Sequence, residues 1–347
     1  MVDVNGHGVG SEDGSGGESV TSRAVNLVDL TRSFGSIRLA VIGDAMLDVW
    51  MEGSARRISP EAPVPVIRLQ NTNSFPGGAA NVAGLAAALG ISATLVGVVG
   101  DDDVATELEH VVGLERVETR LFRDKSRITT RKTRIVSGPQ QVCRVDEEIN
   151  EPLSVESEAA LRLIIQEVVS EVDVVVLQDY GKGTVTDQVV ADVLLQASKS
   201  NVPVVADPSG DGAGRFSRVT LVKPNRMEAF ASLGRPFEES TSASALALEL
   251  SRELMGCPTL VTDGKRGCGL AVSDESFAFP APIRNVIDAT GAGDAVVAVV
   301  GATLGAGGDF WSAAALGNLA GSIAVTKRGT CTFGLDELVL AVQAQDG

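Results

Sequence analysis

One segment of the sequence, Asp288-Ala-Thr-Gly-Ala-Gly-Asp294, places a carboxylate and two glycines directly before an apolar helix. We therefore predict Gly291, Ala292 and Gly293 at a helix N-terminus, where unpaired N–H groups and the helix dipole attract anions. Asp294 would repel a resting phosphate. It suits a general base that accepts a hydroxyl proton while the amides stabilise a phosphoryl group in transfer. The alternative interpretation is that Asp294 only caps the helix.

Two further polar motifs lie early in the chain. Gly77 and Gly78 precede an Ala-rich segment that contains Asn81. Paired glycines let the backbone approach a ligand closely, and an Asn side chain offers both a donor and an acceptor. The segment Gly43-Asp44-Ala-Met-Leu-Asp48 follows the first predicted strand, at the edge where open α/β sheets bind ligands. Its carboxylates suit sugar hydroxyls, although a tight turn and a solvated loop would explain the two motifs equally well.

Two later motifs also follow predicted strands. In Lys223-Pro-Asn225-Arg-Met-Glu228, an Asn and a Glu three residues apart at a helix start face the same way and could hold a hydrated Mg²⁺. The segment Thr262-Asp-Gly264-Lys-Arg-Gly267 is a glycine turn able to approach a nucleotide phosphate. It lacks the Walker A pattern, and no G-x-G-x-x-G follows the first strand, which disfavours P-loop and dinucleotide enzymes.

The elements that must position these motifs alternate along the chain. Short β-branched runs predict strands at residues 37–43, 93–99, 172–177, 202–206, 221–223 and 258–262. Segments of helical length lie at residues 78–89, 187–198 and 295–304. Strands that alternate with helices of this length indicate an α/β fold with a mostly parallel central sheet flanked by helices.

Two stretches, at about residues 50–70 and 127–146, break this alternation because they are rich in β-formers and have no helix beside them. We predict that they form antiparallel strands of a small separate sheet. Such a sheet beside the main body would be a lid over a site at the strand ends. An ordinary edge hairpin is the alternative.

Composition restricts the partners. The chain has 347 residues and a formal net charge of −16, which gives no general attraction for nucleic acid or an anionic membrane. Its four cysteines form no C-x-x-C pair, so a zinc site and a disulfide framework are disfavoured and a reducing cytoplasm is expected. Residues 1–20, rich in Gly, Ser and acidic side chains, are predicted as a disordered tail before a single domain over residues 21–347.

Taken together, the ordered motifs resemble the ribokinase/phosphofructokinase-B family of carbohydrate kinases over about residues 37–340. Three more motifs resemble the branch that acts on D-glycero-β-D-manno-heptose 7-phosphate: Arg57-Ile-Ser-Pro-Glu-Ala-Pro-Val-Pro65, Gln140-Gln141 with Arg144-Val-Asp146, and Asp179-Tyr-Gly-Lys182-Gly183. The resemblance implies a ribokinase-like fold and ATP-dependent phosphorylation of the anomeric hydroxyl, giving the 1,7-bisphosphate on the route to ADP-heptose. Another sugar or sugar-phosphate kinase of the family, or a non-catalytic sugar-phosphate sensor, is the alternative.

The resemblance also implies roles for individual residues. Asp294 would be the base beside an anion hole at residues 291–293. Sugar hydroxyls would contact Asp48, Gly77, Gly78 and Asn81. Asn225 and Glu228 would hold Mg²⁺ through water. The residues near ATP would be Thr262, Gly264, Gly267 and Asn318. Asp288 and Thr290, with backbone near Gly329, match the region where many relatives bind a monovalent cation such as K⁺.

A sugar phosphate presents a dianion remote from its reacting hydroxyl, and a chain of charge −16 needs local cations to bind it. Lys132, Arg134 and Arg144 lie in the predicted lid, and the first two point to one face of a strand because they are two residues apart. Arg57 and Lys182, from the heptose-kinase-like motifs, would complete the pocket. The alternative is a solvated basic face that guards a sheet edge.

The chain departs from the heptose branch in two respects. Relatives usually carry Lys after the Asp-Pro pair, where this chain has Ser209, so one positive charge near the phosphates is missing. Bifunctional relatives add a nucleotidyltransferase domain with an H-x-G-H motif, which the two histidines of this chain cannot form. We therefore expect adenylyl transfer to belong to another protein. By analogy with the family we also expect a homodimer formed through the lid.

Overall fold

The structure is a computed structural model that describes residues 26–282, 285–327, 329 and 332–345, so the predicted tail lies outside the described residues. Helices α1 to α10 of the described part are, in order, Leu27–Arg32, Ala79–Ala88, Asp103–Leu114, Val155–Val168, Asp187–Ser200, Arg226–Ser232, Ala243–Glu253, Ala292–Gly305, Phe310–Ala324 and Leu335–Gln343. Among these residues, no helix is long and apolar enough to cross a membrane.

Strands β1 to β13 follow the same order along the described chain. They are Arg38–Gly43, Ala45–Ile58, Pro65–Gly78, Ser92–Gly100, Glu118–Asp124, Thr130–Ser137, Gln140–Glu147, Val174–Gln178, Val204–Asp207, Leu221–Val222, Thr259–Thr262, Cys268–Val272 and Glu275–Phe279. The predicted strands and helices of the main body are confirmed, with bounds that differ by a few residues.

The central sheet has nine strands within the described ranges, in the order β13-β12-β11-β10-β9-β8-β1-β4-β5. All neighbours from β11 to β5 pair in parallel, and β12 pairs antiparallel with both β11 and β13. In β1, Leu39 and Val41 pack with α2, α8 and α9, whereas Ala40 and Ile42 pack with α4, α5 and α7. Helices therefore cover both faces, which confirms the predicted ribokinase-like α/β architecture.

The predicted small sheet is also present, with the strand order β3-β2-β6-β7. Its two hairpins, β2–β3 and β6–β7, are antiparallel as expected. The prediction of wholly antiparallel strands is wrong for the central pair, because β2 and β6 are parallel. Both strands leave the same edge of the central sheet, β2 after β1 and β6 after β5, and therefore run in the same direction.

The small sheet begins closer to the main body than its predicted bounds suggest. Strand β2 starts at Ala45 and β3 extends to Gly78. Asp48 and the paired glycines therefore lie within strands of the small sheet, and not in a loop or a turn. The base of β2, from Ala45 to Val49, is buried against the main body, while the whole of β7 is exposed.

Candidate active site

The carboxyl ends of the parallel strands open into a cleft of about 830 Å³. Gln178 and Asp207 end β8 and β9, Lys223 follows β10, and Thr262 ends β11; all four line this cleft. Helix α8 begins in the same cleft, and residues 291–294 line it. Open α/β sheets bind ligands at such an edge, so the fold brings the later sequence motifs to one place.

Helix α8 holds Asp294 at the floor of the cleft. Gly291 caps the helix with a φ of 77°, a left-handed conformation that favours glycine. Asp294 is 4% exposed because the rest of the helix, from Ala295 onward, is buried in the core. Its Oδ2 accepts a hydrogen bond of 2.6 Å from Asn81 Nδ2, and its Oδ1 accepts one of 2.7 Å from the Tyr180 hydroxyl.

These contacts bear on the role of Asp294. The carboxylate bonds to side chains of other elements and makes no cap to its own helix, which disfavours the helix-cap interpretation. Burial raises the pKa of Asp294 to about 6, although the hydrogen bonds from Tyr180 and Asn81 oppose the shift. A buried carboxylate with such a pKa can accept a proton near neutral pH.

The amides that begin α8 lie where the anion site is predicted. The Ala292 N–H donates to the Ala289 carbonyl at 3.3 Å, so this amide already has a partner. The amides of Gly293 and Asp294 lie in the first helical turn, where no carbonyl of the helix can accept from them. Of the three residues predicted for the anion site, Ala292 therefore has its amide occupied, and the site itself stays a prediction.

Lys223, which we did not predict as a site residue, supplies a positive charge beneath this turn. Its Nζ lies 2.9 Å from Asp207 Oδ1, and a Cβ added at Gly293 would lie 3.7 Å from Nζ. Burial lowers the pKa of Lys223, but Asp207 outweighs this effect and the pKa is raised, so the ammonium stays charged. The available signal was a lysine at the end of a buried strand, where an unpaired charge would be costly.

The early glycine motif lets the chain pack closely against the backbone of Asp44 and the carboxylate of Asp48. Gly78 has a φ of 56°, and a Cβ there would lie 2.5 Å from the Asp44 carbonyl oxygen. A Cβ at Gly77 would lie 3.0 Å from Cγ of Asp48. Close packing therefore favours glycine at both positions. The glycines lead into α2, whose first turn holds Asn81 within hydrogen-bond distance of Asp294.

Asp44 and Asp48, in the same early motif, have different surroundings. Asp44 accepts from the backbone amides of Tyr180, Lys182 and Thr184, so it organises the loop after β8. Asp48 is 4% exposed and forms a 2.7 Å ion pair with Arg134. Burial raises the pKa of Asp48 even though Arg134 opposes the shift.

Asn225 and Glu228 face each other at the start of α6 and both line the cleft. Asn225 Oδ1 accepts from the Glu228 amide at 3.0 Å, and Glu228 Oε2 accepts from the Asn225 amide at 2.7 Å. Burial raises the pKa of Glu228 to about 7, and the nearby Asp207 adds to the shift. One carboxylate oxygen of Glu228 remains outside this capping box, and such a hard oxygen donor fits a hydrated Mg²⁺.

The residues predicted near ATP line the same cleft: Thr262, Gly264, Gly267 and Asn318. A parallel bridge joins Asn225 to Thr262, and a buried 2.8 Å ion pair between Arg226 and Asp263 anchors the turn that follows. The Asn318 amide donates to the Pro280 carbonyl at 2.9 Å, so part of this side chain fixes the segment after β13. Ser209 and Lys265, also at the cleft, were not predicted as contacts.

The predicted phosphate-binding cations already have carboxylate partners. Lys132 lies 3.2 Å from Asp146 and 2.8 Å from Glu148. Lys182 lies 2.9 Å from Glu148, and Arg144 lies 2.8 Å from Asp146. We call these five residues the charged cluster. It is neither an open cationic pocket nor a solvated basic face.

The other two predicted cations, Arg134 and Arg57, have different surroundings from the charged cluster. Arg134 is committed to the buried pair with Asp48. Arg57 lies near the exposed end of β2, nine residues beyond Asp48, which is on the order of 30 Å along a strand. A role for Arg57 in phosphate binding stays a prediction.

The predicted monovalent-cation residues are close together. Asp288 Oδ1 accepts from Thr290 N at 3.0 Å and from its hydroxyl at 2.7 Å, and Oδ2 accepts from Gly329 N at 2.9 Å. Burial raises the pKa of Asp288, but these hydrogen bonds outweigh it and the pKa is lowered. The group therefore carries a stable negative charge beside the start of α8.

Comparisons with known proteins agree with this geometry. The sequence profile described as pfkB family carbohydrate kinase matches residues 36–337. The Bifunctional protein HldE of Pseudomonas aeruginosa (strain UCBPP-PA14) is 41% identical over 316 residues, covering 90% of this chain and 65% of the relative. The protein of the same name from Caulobacter vibrioides is 38% identical over 326 residues, covering 92% and 66%. The chain thus spans about 65% of the length of these relatives.

Solved structures show the same fold at lower sequence identity. Phosphofructokinase-2 from Escherichia coli in complex with potassium has a TM-score of 0.76 and 21% identity. The match covers 90% of this chain and 100% of the phosphofructokinase-2 chain. Ribokinase from Thermotoga maritima has a TM-score of 0.67 and 20% identity, and the match covers 88% of this chain and 99% of the ribokinase chain. At this identity, the likeness establishes the fold.

Proposed function

The chain belongs to the pfkB family of carbohydrate kinases, and on that premise we propose that it phosphorylates D-glycero-β-D-manno-heptose 7-phosphate at its anomeric hydroxyl, giving the 1,7-bisphosphate. The observation that carries the proposal is the buried Asp294, at the start of α8, between Asn81 and Tyr180. The choice of heptose rests on the roughly 40% identity to proteins named HldE and on the heptose-kinase-like motifs.

In the proposed reaction, the sugar hydroxyl oxygen attacks the γ-phosphorus of ATP while its proton passes to Asp294. The bond between γ-phosphorus and the ADP oxygen breaks, and ADP leaves with the electron pair. The amides of Gly293 and Asp294 and the ammonium of Lys223 would stabilise the charge on the transferring group. Asn81 would orient the base through its hydrogen bond to Oδ2.

The proposed nucleotide site is the part of the cleft between the turn after β11 and helix α9. Thr262, Gly264, Gly267 and Asn318 line it and would contact ATP. Asn225 and Glu228 would hold Mg²⁺ through water, and the ion would neutralise charge on the phosphates. Lys223 and Lys265 would supply part of the positive charge that a lysine provides in relatives at the position of Ser209.

The remote phosphate of the sugar would bind at the charged cluster. A phosphate dianion and the carboxylates of Asp146 and Glu148 compete for the same ammonium and guanidinium groups. Binding would therefore exchange one ion pair for another at Lys132, Lys182 or Arg144. Asp48 and the backbone at Gly77 and Gly78 would contact hydroxyls between this cluster and Asp294.

Two further assignments rest on relatives. Asp288 and Thr290 would hold K⁺, an ion with which phosphofructokinase-2 from Escherichia coli forms a complex. A homodimer would form through the exposed strands of the small sheet; a tetrameric form is described for the same E. coli protein. The cytoplasmic location stays a prediction.

A coupled ADP-release assay with a panel of sugars tests the proposed function. The panel contains the heptose 7-phosphate, fructose 1-phosphate, fructose 6-phosphate and ribose, each at saturating MgATP. We expect the highest kcat/KM for the heptose phosphate. A higher value for another sugar would overturn the substrate assignment but not the assignment of the chain as a sugar kinase. Binding of MgATP with no sugar-dependent ADP release would favour a sensor.

A further inference from the structure

Tyr180 occupies a position that the acceptor sugar needs. Its hydroxyl donates to Asp294 Oδ1 at 2.7 Å, and Asn81 Nδ2 donates to Oδ2 at 2.6 Å. Both oxygens of the proposed base therefore have a donor already. Because Asp294 is only 4% exposed, an incoming hydroxyl that approaches Oδ1 meets the Tyr180 hydroxyl already bound there.

The two donors differ in their freedom to move. Asn81 is 3% exposed and lies in the first turn of α2, among buried residues. Tyr180 is 36% exposed, lines the cleft and lies in the loop after β8. Its amide donates to Asp44 Oδ2 at 2.8 Å, and the Lys182 amide donates to the same oxygen at 3.0 Å. The backbone is therefore anchored while the side chain has open space to rotate into.

We propose that Tyr180 is a positioning residue that holds Asp294 while the cleft lacks sugar and swings aside when the acceptor hydroxyl arrives. This inference rests on the proposed function, since it takes Asp294 as the base. In this position, Tyr180 would protect ATP from hydrolysis. With the phenol on Oδ1, a water molecule cannot take the place of the sugar hydroxyl.

The suppressed side reaction is hydrolysis of MgATP. In it, a water oxygen would bond to the γ-phosphorus, the bond to the ADP oxygen would break, and ADP would leave with the electron pair. The water proton would pass to Asp294, giving ADP and inorganic phosphate. An active site that excludes water from its base avoids this loss.

The charges around the contact keep the phenol protonated. The carboxylates of Asp294, Asp207 and Asp48 all act on Tyr180, and Lys223 pairs with Asp207 at 2.9 Å. Burial of the hydroxyl and the carboxylate of Asp294 raise the pKa of Tyr180 well above its usual value. The phenol therefore remains a donor over the pH range in which a kinase works.

The first test measures hydrolysis with MgATP alone, so it needs no knowledge of the sugar. Tyr180→Phe keeps the ring and removes the hydroxyl. We expect sugar-independent release of inorganic phosphate to rise about tenfold, which is less than the 10²–10⁴-fold that a general base contributes in full. The double variant with Asp294→Asn should return to the wild-type rate or below. An unchanged rate in a folded Tyr180→Phe protein overturns the inference.

The second test observes Tyr180 in the unaltered chain. Tyr180 is the single tyrosine of the sequence, so ring-labelled ¹³C-tyrosine gives one side-chain NMR signal. We expect this signal to move between wild type and Asp294→Asn, and to move again when heptose 7-phosphate is added without ATP. A signal that is the same in wild type and Asp294→Asn contradicts the contact.

The outcomes separate this inference from the proposed function. If Tyr180→Phe raises hydrolysis and the signal depends on Asp294, but no sugar of the panel is phosphorylated, the positioning role stands and the proposed substrate falls. If the heptose phosphate is a good substrate but Tyr180→Phe leaves hydrolysis unchanged, the proposed function stands and the positioning role falls.

Discussion

The carboxylates at the start of α8 and in the charged cluster have opposite surroundings. The hydrogen-bond partners of Asp294 are the neutral groups of Asn81 and Tyr180, and burial raises its pKa to about 6. Burial also raises the pKa of Asp146, but Arg144 and Lys132 outweigh it and the pKa is lowered. Under the proposed function, the first site is suited to accept a proton, and the second to exchange one anion for another.

This difference implies a division of roles. Proton transfer requires a carboxylate whose charged form is not held too strongly, which buried neutral donors provide. Phosphate recognition requires cations that stay charged, and their resting carboxylate partners satisfy them until the substrate arrives.

Removal of the base should have the largest effect. Asp294→Asn should lower kcat by at least about 10²–10⁴-fold, the usual contribution of a general base, and leave ATP binding intact. Asp309→Asn is the matched control, because Asp309 caps α9 through a 2.7 Å bond from the Ser312 amide. Steady-state kinetics and ATP titration measure both variants. Near-wild-type turnover of Asp294→Asn would restore the helix-cap interpretation.

Changes in the charged cluster should act on the sugar alone. Lys132→Ala should raise KM for the sugar phosphate about ten- to a hundredfold, or about 1.5–3 kcal/mol, the worth of a charge-assisted hydrogen bond. KM for ATP should stay constant. Arg134→Ala should raise the same KM, but it also leaves Asp48 buried without its cation, so Lys132 gives the clearer result.

A matched pair of variants sharpens this test. Arg131 neighbours Lys132 on β6 but pairs with Glu147, so Arg131→Ala should leave KM unchanged. Glu148→Gln removes the competing carboxylate of Lys132 and Lys182 and should lower KM for the sugar phosphate severalfold. Equal KM values in wild type, Lys132→Ala and Glu148→Gln would show that the substrate phosphate binds elsewhere.

The acidity of Asp294 predicts a pH profile. Because its pKa is raised to about 6, the carboxylate is ionised at pH 7 and becomes protonated as the pH falls through 6. kcat/KM should therefore fall towards tenfold per pH unit below this value. The same limb should persist in Glu228→Gln at saturating Mg²⁺, which separates it from the titration of Glu228 near 7. A flat profile between pH 5 and 7 excludes Asp294 as the titrating base.

The smallest effect should come from restoring the missing cation. Ser209→Lys places an ammonium at the cleft, where ATP phosphates are proposed to bind, and should lower KM for ATP by about three- to tenfold. Ser198→Lys, on the exposed face of α5, controls for the added charge and should change nothing. An increase in KM for ATP with Ser209→Lys would mean that the phosphates lie elsewhere.

The fold and the first turn of α8 could be predicted because both are encoded locally. Alternating strands and helices indicate a parallel sheet, and glycines before an apolar run indicate a helix start in the core. The contact from Tyr180 to Asp294 and the pairing of Lys132 with Glu148 could not be predicted. The first contact joins residues 114 positions apart in the sequence. The second depends on the register of the β6–β7 hairpin, and neither partner is fixed until the elements that carry it have packed.

The pairing of β2 with β6 illustrates the same limit at the level of the backbone. Each strand is recognisable from its own residues, but the direction of pairing depends on the edge of the central sheet from which each one leaves. Lys223 is similar, since its role depends on burial beside Asp207 and under Gly293. Local patterns identified the parts of the site, and tertiary packing determined which of them touch.

The central claim is transfer of phosphate to the anomeric hydroxyl with Asp294 as the base. The most direct measurement is a ³¹P NMR spectrum of heptose 7-phosphate and MgATP incubated with wild type and with Asp294→Asn. For wild type we predict a new sugar-phosphate signal coupled to the anomeric proton, in amounts equal to ADP, and for the variant no such signal on the same timescale. Phosphate on another carbon, ADP with only inorganic phosphate, or the same product from Asp294→Asn would contradict the account.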